Sequence, residues 1–161
     1  MDKPNFYEQV VEMDEDTLAQ IVGQMVRVGR FYQMESLDDG RVIATKVRDI
    51  VDEYLETQQL PEEFEDERDF AVALGCLYGH AVCVGYDWDW KIFIFEDGDA
   101  TQGLASPKEY FSINPLEYIY TVLTGQNIGA DGSNDNTILL LYNMLENVDE
   151  HPADMMYMLL S

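Results

Sequence analysis

The chain is poor in cysteine, in positive charge and in long apolar runs. Among its 161 residues are two cysteines, and nine lysines and arginines against 32 aspartates and glutamates. So few cysteines exclude a disulfide framework. On a single helix, Cys76 and Cys83 would stand about 10 Å apart at ~1.5 Å rise per residue. That exceeds the ~7 Å Cα separation a bridge tolerates, so both read as free thiols in a reducing compartment. A chain of this length buries close to ~70% of its unfolded surface on folding. One domain spanning residues 1–161 therefore needs neither disulfide nor metal to hold it.

The longest uncharged run, Phe70 to Tyr86, has 17 residues and carries three glycines and His80. A spanning helix needs about 20 apolar residues, so this run reads as a buried helix, with no membrane contact. The opening "MDKPNFYEQVVEMDEDTL" lacks the basic and apolar regions of a signal peptide. The expected location is cytoplasmic.

Scarcity of positive charge leaves a formal net charge of −23, and no Lys or Arg follows Lys108. Such a field repels nucleic acid and anionic membrane and steers basic partners inward. Solubility, or adaptation to salt, is the plainer explanation of the same charge. Disorder is not expected, because 47% of the residues are hydrophobic and 12% aromatic, too many for a chain that cannot build a core.

What is present is well-punctuated periodicity. Asp14 suits the N-cap of a helix carrying Leu18, Ile21, Val22, Met25 and Val28 at helical spacing. Ser36 and Asp39 resemble a capping box before a helix with Ile43, Val47, Ile50, Val51, Tyr54 and Leu55. Pro61 fits the first turn of a third helix, whose opening "EEFEDERD" complements the macrodipole and which runs apolar to Tyr86. From Trp88 the period becomes two, with Trp88, Trp90, Ile92 and Ile94 facing one way. Asp97-Gly98 predicts a type I′ hairpin turn and a return strand over 100–105. A short third strand over 110–113 follows, and Asn114, Pro115 and Glu117 read as N-cap, N1 and N3 of a helix reaching Gly125. After a glycine-rich loop, "TILLLYNMLENV" is a buried helix, and "MMYMLLS" a closing apolar helix. The expected fold class is α+β: a mainly helical single domain with a small antiparallel sheet between N-terminal and C-terminal helices.

Each chemical motif has a plain counterpart. Cys76, His80 and Cys83 share one helical face, but zinc wants four ligands and the only other histidine is His151. Apolar and acidic surroundings also disfavour a thiolate. Core packing is the better reading. A small Cys/His metal-binding protein or enzyme on the 76–83 helix is the alternative. Gly75 and Gly79, a turn after Ala71, form a small-residue stripe that suits close approach of another backbone, or a ligand groove. Trp88 and Trp90 read as core, with a partner-binding edge as the sharper option. "GADGSNDNT" and "EDGDATQG" resemble calcium loops, yet with Gly132 at the sixth position the twelfth is Ile138, where a glutamate belongs. No phosphate-binding, nucleophile-elbow or zinc-protease motif occurs, so no catalytic residue, cofactor or metal is expected.

The succession "LGCLYGHAV", "YDWDW", "SPKEYFSINPLEYI" and "TILLLYNML" resembles a group of small bacterial domains of unknown function. These share a Gly-x3-Gly helix, a Trp-bearing strand, a Ser-Pro turn and a Pro-led helix. The likeness covers about Phe64 to Leu145 and carries no functional residue with it. In size and acidity the chain also looks like the immunity proteins that neutralise basic bacterial toxins. Resemblance and charge together imply a non-enzymatic inhibitor-type module that docks a basic protein, such as a toxin or a nucleic-acid-binding protein. The expected contacts are Glu62, Glu63, Glu65, Asp66 and Glu67, with Asp87 and Asp89. A homodimer through the Met-rich C-terminal segment (Met144, Met155, Met156, Met158) is a further expectation.

Overall fold

A computed structural model describes residues 9–108, 111–126 and 136–146 and the backbone of 158–159. It is a mainly helical α+β fold. In chain order the elements are β1 (Gln9–Glu12), α1 (Glu15–Phe31), α2 (Gly40–Thr57), α3 (Glu67–Tyr86), β2 (Asp89–Ile94) and β3 (Ala100–Ala105). They continue with β4 (Phe111–Ile113), α4 (Pro115–Leu123), α5 (Ile138–Met144) and β5 (Met158–Leu159).

Helix α3 is the hub, packing against α1, α2 and α4. By length and composition it is apolar enough to cross a membrane, but 61% of that stretch lies inside the fold. Its glycines explain how. A Cβ on Gly75 would lie 2.6 Å from the Cα of Leu116, closer than real Cβ atoms approach backbone. A Cβ on Gly79 would clash with the edge of the Trp90 indole, 2.3 Å from its Cζ2, and lie 3.2 Å from Pro115 Cγ. The small-residue stripe therefore seats the start of α4 and the Trp90 ring, and it is no ligand groove. The helix-propensity penalty of each glycine, roughly 0.5–1 kcal/mol against alanine, is offset by that close approach.

The sheet runs β1-β2-β3-β4-β5, antiparallel except for the β4–β5 pair. Two of its strands were invisible to local pattern. Strand β1 pairs Val10 with Phe93, more than 80 positions away and with no hairpin turn between. Strand β5 forms where a closing helix was expected, pairing Phe111 with Met158. Trp90, Ile92, Leu104 and Ile113 meet the main core beneath the helices, while Phe93, Ala105 and Val10 cluster on the opposite face. The hairpin turn also differs from type I′. Only Gly98 has positive φ (92°), and its N–H donates to the Phe95 carbonyl at 2.9 Å. That is a type I turn closed by a glycine bulge, which needs one left-handed residue rather than two.

Helix starts are partly as read. Asp14 caps α1 through Thr17 N, and Asn114 caps α4 through Glu117 N with Pro115 in the first turn. Asp39, rather than Ser36, caps α2 through Val42 N, while Ser36 Oγ accepts from Asp38 N. Helix α3 begins at Glu67, six residues after Pro61. The delay has a physical cause. Phe64 N donates to the Pro61 carbonyl, turning the buried Phe64 ring into the core. Asp66 Oδ1 then accepts from Asp69 N at 2.7 Å, and Asp69 Oδ2 accepts from Glu65 N at 3.0 Å. This reciprocal pair, akin to a capping box, sets the helix start.

Candidate functional site

The Cys76–His80–Cys83 face is interior. Cys76 is buried and Cys83 half-buried, and burial pushes each thiol up to about 12. His80 Nε2 sits 2.9 Å from the Leu37 carbonyl, tying α3 to the α1–α2 connection. Among the described residues no three His, Cys, Asp or Glu side chains stand where they could share a metal ion; His151 lies outside them. Because the thiolate is the reactive form, native protein at pH 8 is expected to react very slowly with a disulfide reagent such as DTNB. Both thiols should react at once in denaturant. Fast native modification of Cys76 would contradict this burial.

The acidic segment is a constructed feature. Arg27 of α1 reaches across to it and makes a two-pronged ion pair with Asp69, Nη1–Oδ1 2.9 Å and Nη2–Oδ2 2.8 Å. It also donates to the Glu63 carboxylate at 3.1 Å and the Glu63 carbonyl at 2.8 Å. Its guanidinium lies 4.7 Å from the centre of the Phe64 ring. A planar, forked cation suits this arrangement, since it grips a carboxylate bidentately and stacks on an aromatic face at once. The hydrogen bonds from Arg27, reinforced by Glu65 N, hold the Asp69 carboxyl below its usual range.

The expected contact residues therefore differ in availability. Asp66 is the N-cap of α3, Glu67 accepts from the Tyr54 hydroxyl, and Glu63 is held by Arg27. Glu62 and Glu65 are exposed, and their carboxylates make no ion pair or hydrogen bond among the described residues. Asp87 and Asp89 are also exposed, but they lie elsewhere. Asp87 is the left-handed C-cap of α3 (φ 64°) and Asp89 opens β2. A helix of 20 residues separates Asp66 from Asp87 by roughly 30 Å at ~1.5 Å per residue. The structure thus places the predicted contacts at opposite ends of α3, in two patches.

Sequence reading missed what stands beside the first patch. A recess of about 300 Å³ opens between the C-terminal ends of α1 and α2, lined by Phe31, Tyr32, Tyr54, Phe70, Pro61 and Glu53. Burial, and then the Glu53 charge, push the Tyr32 phenol up to about 12, so the recess is aromatic-walled and negative. Its members come from three separate helices and a turn. The one usable signal was the aromatic pair Phe31-Tyr32 at a helix end. No family model, no curated protein and no solved structure matches the chain.

Proposed function

We propose that the protein is a non-enzymatic, acidic binding module of the cytoplasm, of the immunity or inhibitor type, which docks and neutralises a basic protein. The supporting observation is the placement of Glu62 and Glu65. Both carboxylates are exposed and uncommitted, and they ride on a backbone that Arg27 and the Asp66–Asp69 pair hold rigid. A backbone already fixed before docking need not be ordered when a partner arrives, which lowers the entropic cost of binding. The adjoining recess has room for one long side chain, and its aromatic walls and Glu53 carboxylate suit a lysine or arginine. Rim carboxylates would set the association rate and its salt dependence, while the seated side chain would supply the buried anchor. The same field repels nucleic acid and anionic membrane, so neither is a direct partner in this reading.

A pull-down from host lysate, washed at low and then high salt, should retain a basic protein and release it as ionic strength rises. With that partner in hand, Glu62→Lys/Glu65→Lys is expected to slow association about tenfold at low salt and to flatten its salt dependence. Binding that ignores both salt and charge reversal would overturn the reading.

A further inference from the structure

One exposed stripe of α1 is apolar, beside the exposed Glu15, Gln20 and Arg30. Leu18, Val22 and Val26, at i, i+4 and i+8, are 37%, 50% and 36% exposed, and they form one stripe along the helix. Ala19 and Gly23 lie beside it, both exposed. Gly23 differs from Gly75 and Gly79 in having nothing within 4 Å of where a Cβ would sit. Among the described residues, then, nothing offsets the conformational freedom it adds to a helix interior. Charge brackets the stripe asymmetrically. Glu15 stands at its N-terminal end and Arg30 at its C-terminal end, both exposed and neither in an ion pair among the described residues.

We infer that this face pairs with a second copy of the chain, as two antiparallel α1 helices about a two-fold axis at Val22 and Gly23. The opposite charges at the two ends, Glu15 and Arg30, are what select this occupant. Positions 18 and 26 are symmetric about 22, and positions 15 and 30 about the point between 22 and 23. An isologous contact therefore brings Val22 against its own copy and Leu18 against Val26 of the second copy. Glu15 meets Arg30 of the second copy at both ends, and Ala19 and Gly23 let the backbones approach. A uniformly basic helix would meet Arg30 unfavourably, whereas a second copy satisfies both charges. The net charge does not forbid the pair, because at ~0.15 M salt charges beyond about 8 Å are largely screened. A single helix pair buries less than the ~1,600 Å² of a standard interface, the class of weak contacts, so the dimer is to be sought at concentrations on the order of 10–100 µM.

Sedimentation velocity of the whole chain across that concentration range tests the inference. The wild type is expected to pass from monomer to dimer, and Val22→Lys, with an unchanged circular dichroism spectrum, to remain monomeric. Glu15→Arg and Arg30→Glu each place like charges opposite one another in a homodimer and should be monomeric alone. Mixed one to one, they should form a heterodimer, because both ends then pair opposite charges. A wild type that stays monomeric throughout would overturn the inference. So would a dimer indifferent to Val22→Lys, which would point instead to the exposed Leu140 and Met144 of α5. Two charge variants that fail to pair when mixed would overturn the antiparallel arrangement.

Discussion

Replacing Gly75 with alanine is expected to destabilise the protein by about 3 kcal/mol, the upper part of the usual range for overpacking. For a chain of this size that lowers the melting temperature by roughly 6–12 °C. The new methyl group would meet the Leu116 Cα at 2.6 Å and the Leu116 nitrogen at 3.0 Å. Backbone at a helix start cannot swing aside as a side-chain tip can, so α3 and α4 must separate along their contact. The gain in helix propensity, roughly 0.5–1 kcal/mol, opposes this loss and is too small to reverse it. Two companions give the comparison its sign. At Gly23 an added Cβ meets nothing within 4 Å among the described residues, so alanine there should stabilise the protein by roughly 0.5–1 kcal/mol. At Gly85 the obstacle is the Tyr142 hydroxyl, the end of a side chain, so the loss should be smaller than at Gly75. Thermal and urea unfolding of the three variants check this. A Gly75→Ala protein as stable as the wild type would mean that the α3–α4 approach is looser than described.

Arg27→Met should give the other large effect, a loss of about 2 kcal/mol, the scale of hydrogen bonds to charged groups. The methionine keeps most of the aliphatic volume against Phe64 but leaves Asp69 without its cation. The side chains of Arg27 and Asp69 are 26% and 23% exposed. Partial access to water therefore keeps the loss below the 3–5 kcal/mol of breaking a fully buried pair. Acid dependence supplies the second readout. Arg27 holds the folded-state carboxyl of Asp69 below its ordinary value. A depressed carboxyl contributes its full stabilisation above the unfolded value of about 4. That contribution is lost as pH falls through the folded value. The wild-type and Arg27→Met stability curves should therefore lie parallel near neutrality and converge below about pH 4. A gap that persists unchanged at low pH would mean that the role of Arg27 is packing on Phe64 rather than pairing with Asp69. Because Arg27 also binds the Glu63 carbonyl, the variant should loosen the acidic segment and weaken docking of a basic partner.

The amino-acid sequence by itself determined whatever rests on a few neighbouring residues. Asp14 and Asn114 each bond an amide three residues ahead, so the starts of α1 and α4 are legible from local spacing. The return strand after Gly98 needs only a turn, and the class of fold follows from periods of 3.6 and two. Cys76 read as core because its surroundings are apolar, which is also why its thiol resists ionisation. Tertiary structure decided what depends on distant partners. Strands β1 and β5 are too short to declare themselves and exist because edges of the sheet lie ready to pair with them. The start of α3 moved from Pro61 to Glu67 because Phe64 is drawn into the core and Arg27, 42 positions from Asp69, anchors the turn. The division of the acidic residues into helix caps, ion-pair partners and free carboxylates has the same origin. Charge composition counts carboxylates equally, but a hydrogen bond or ion pair forms only where folding brings a donor within about 3 Å.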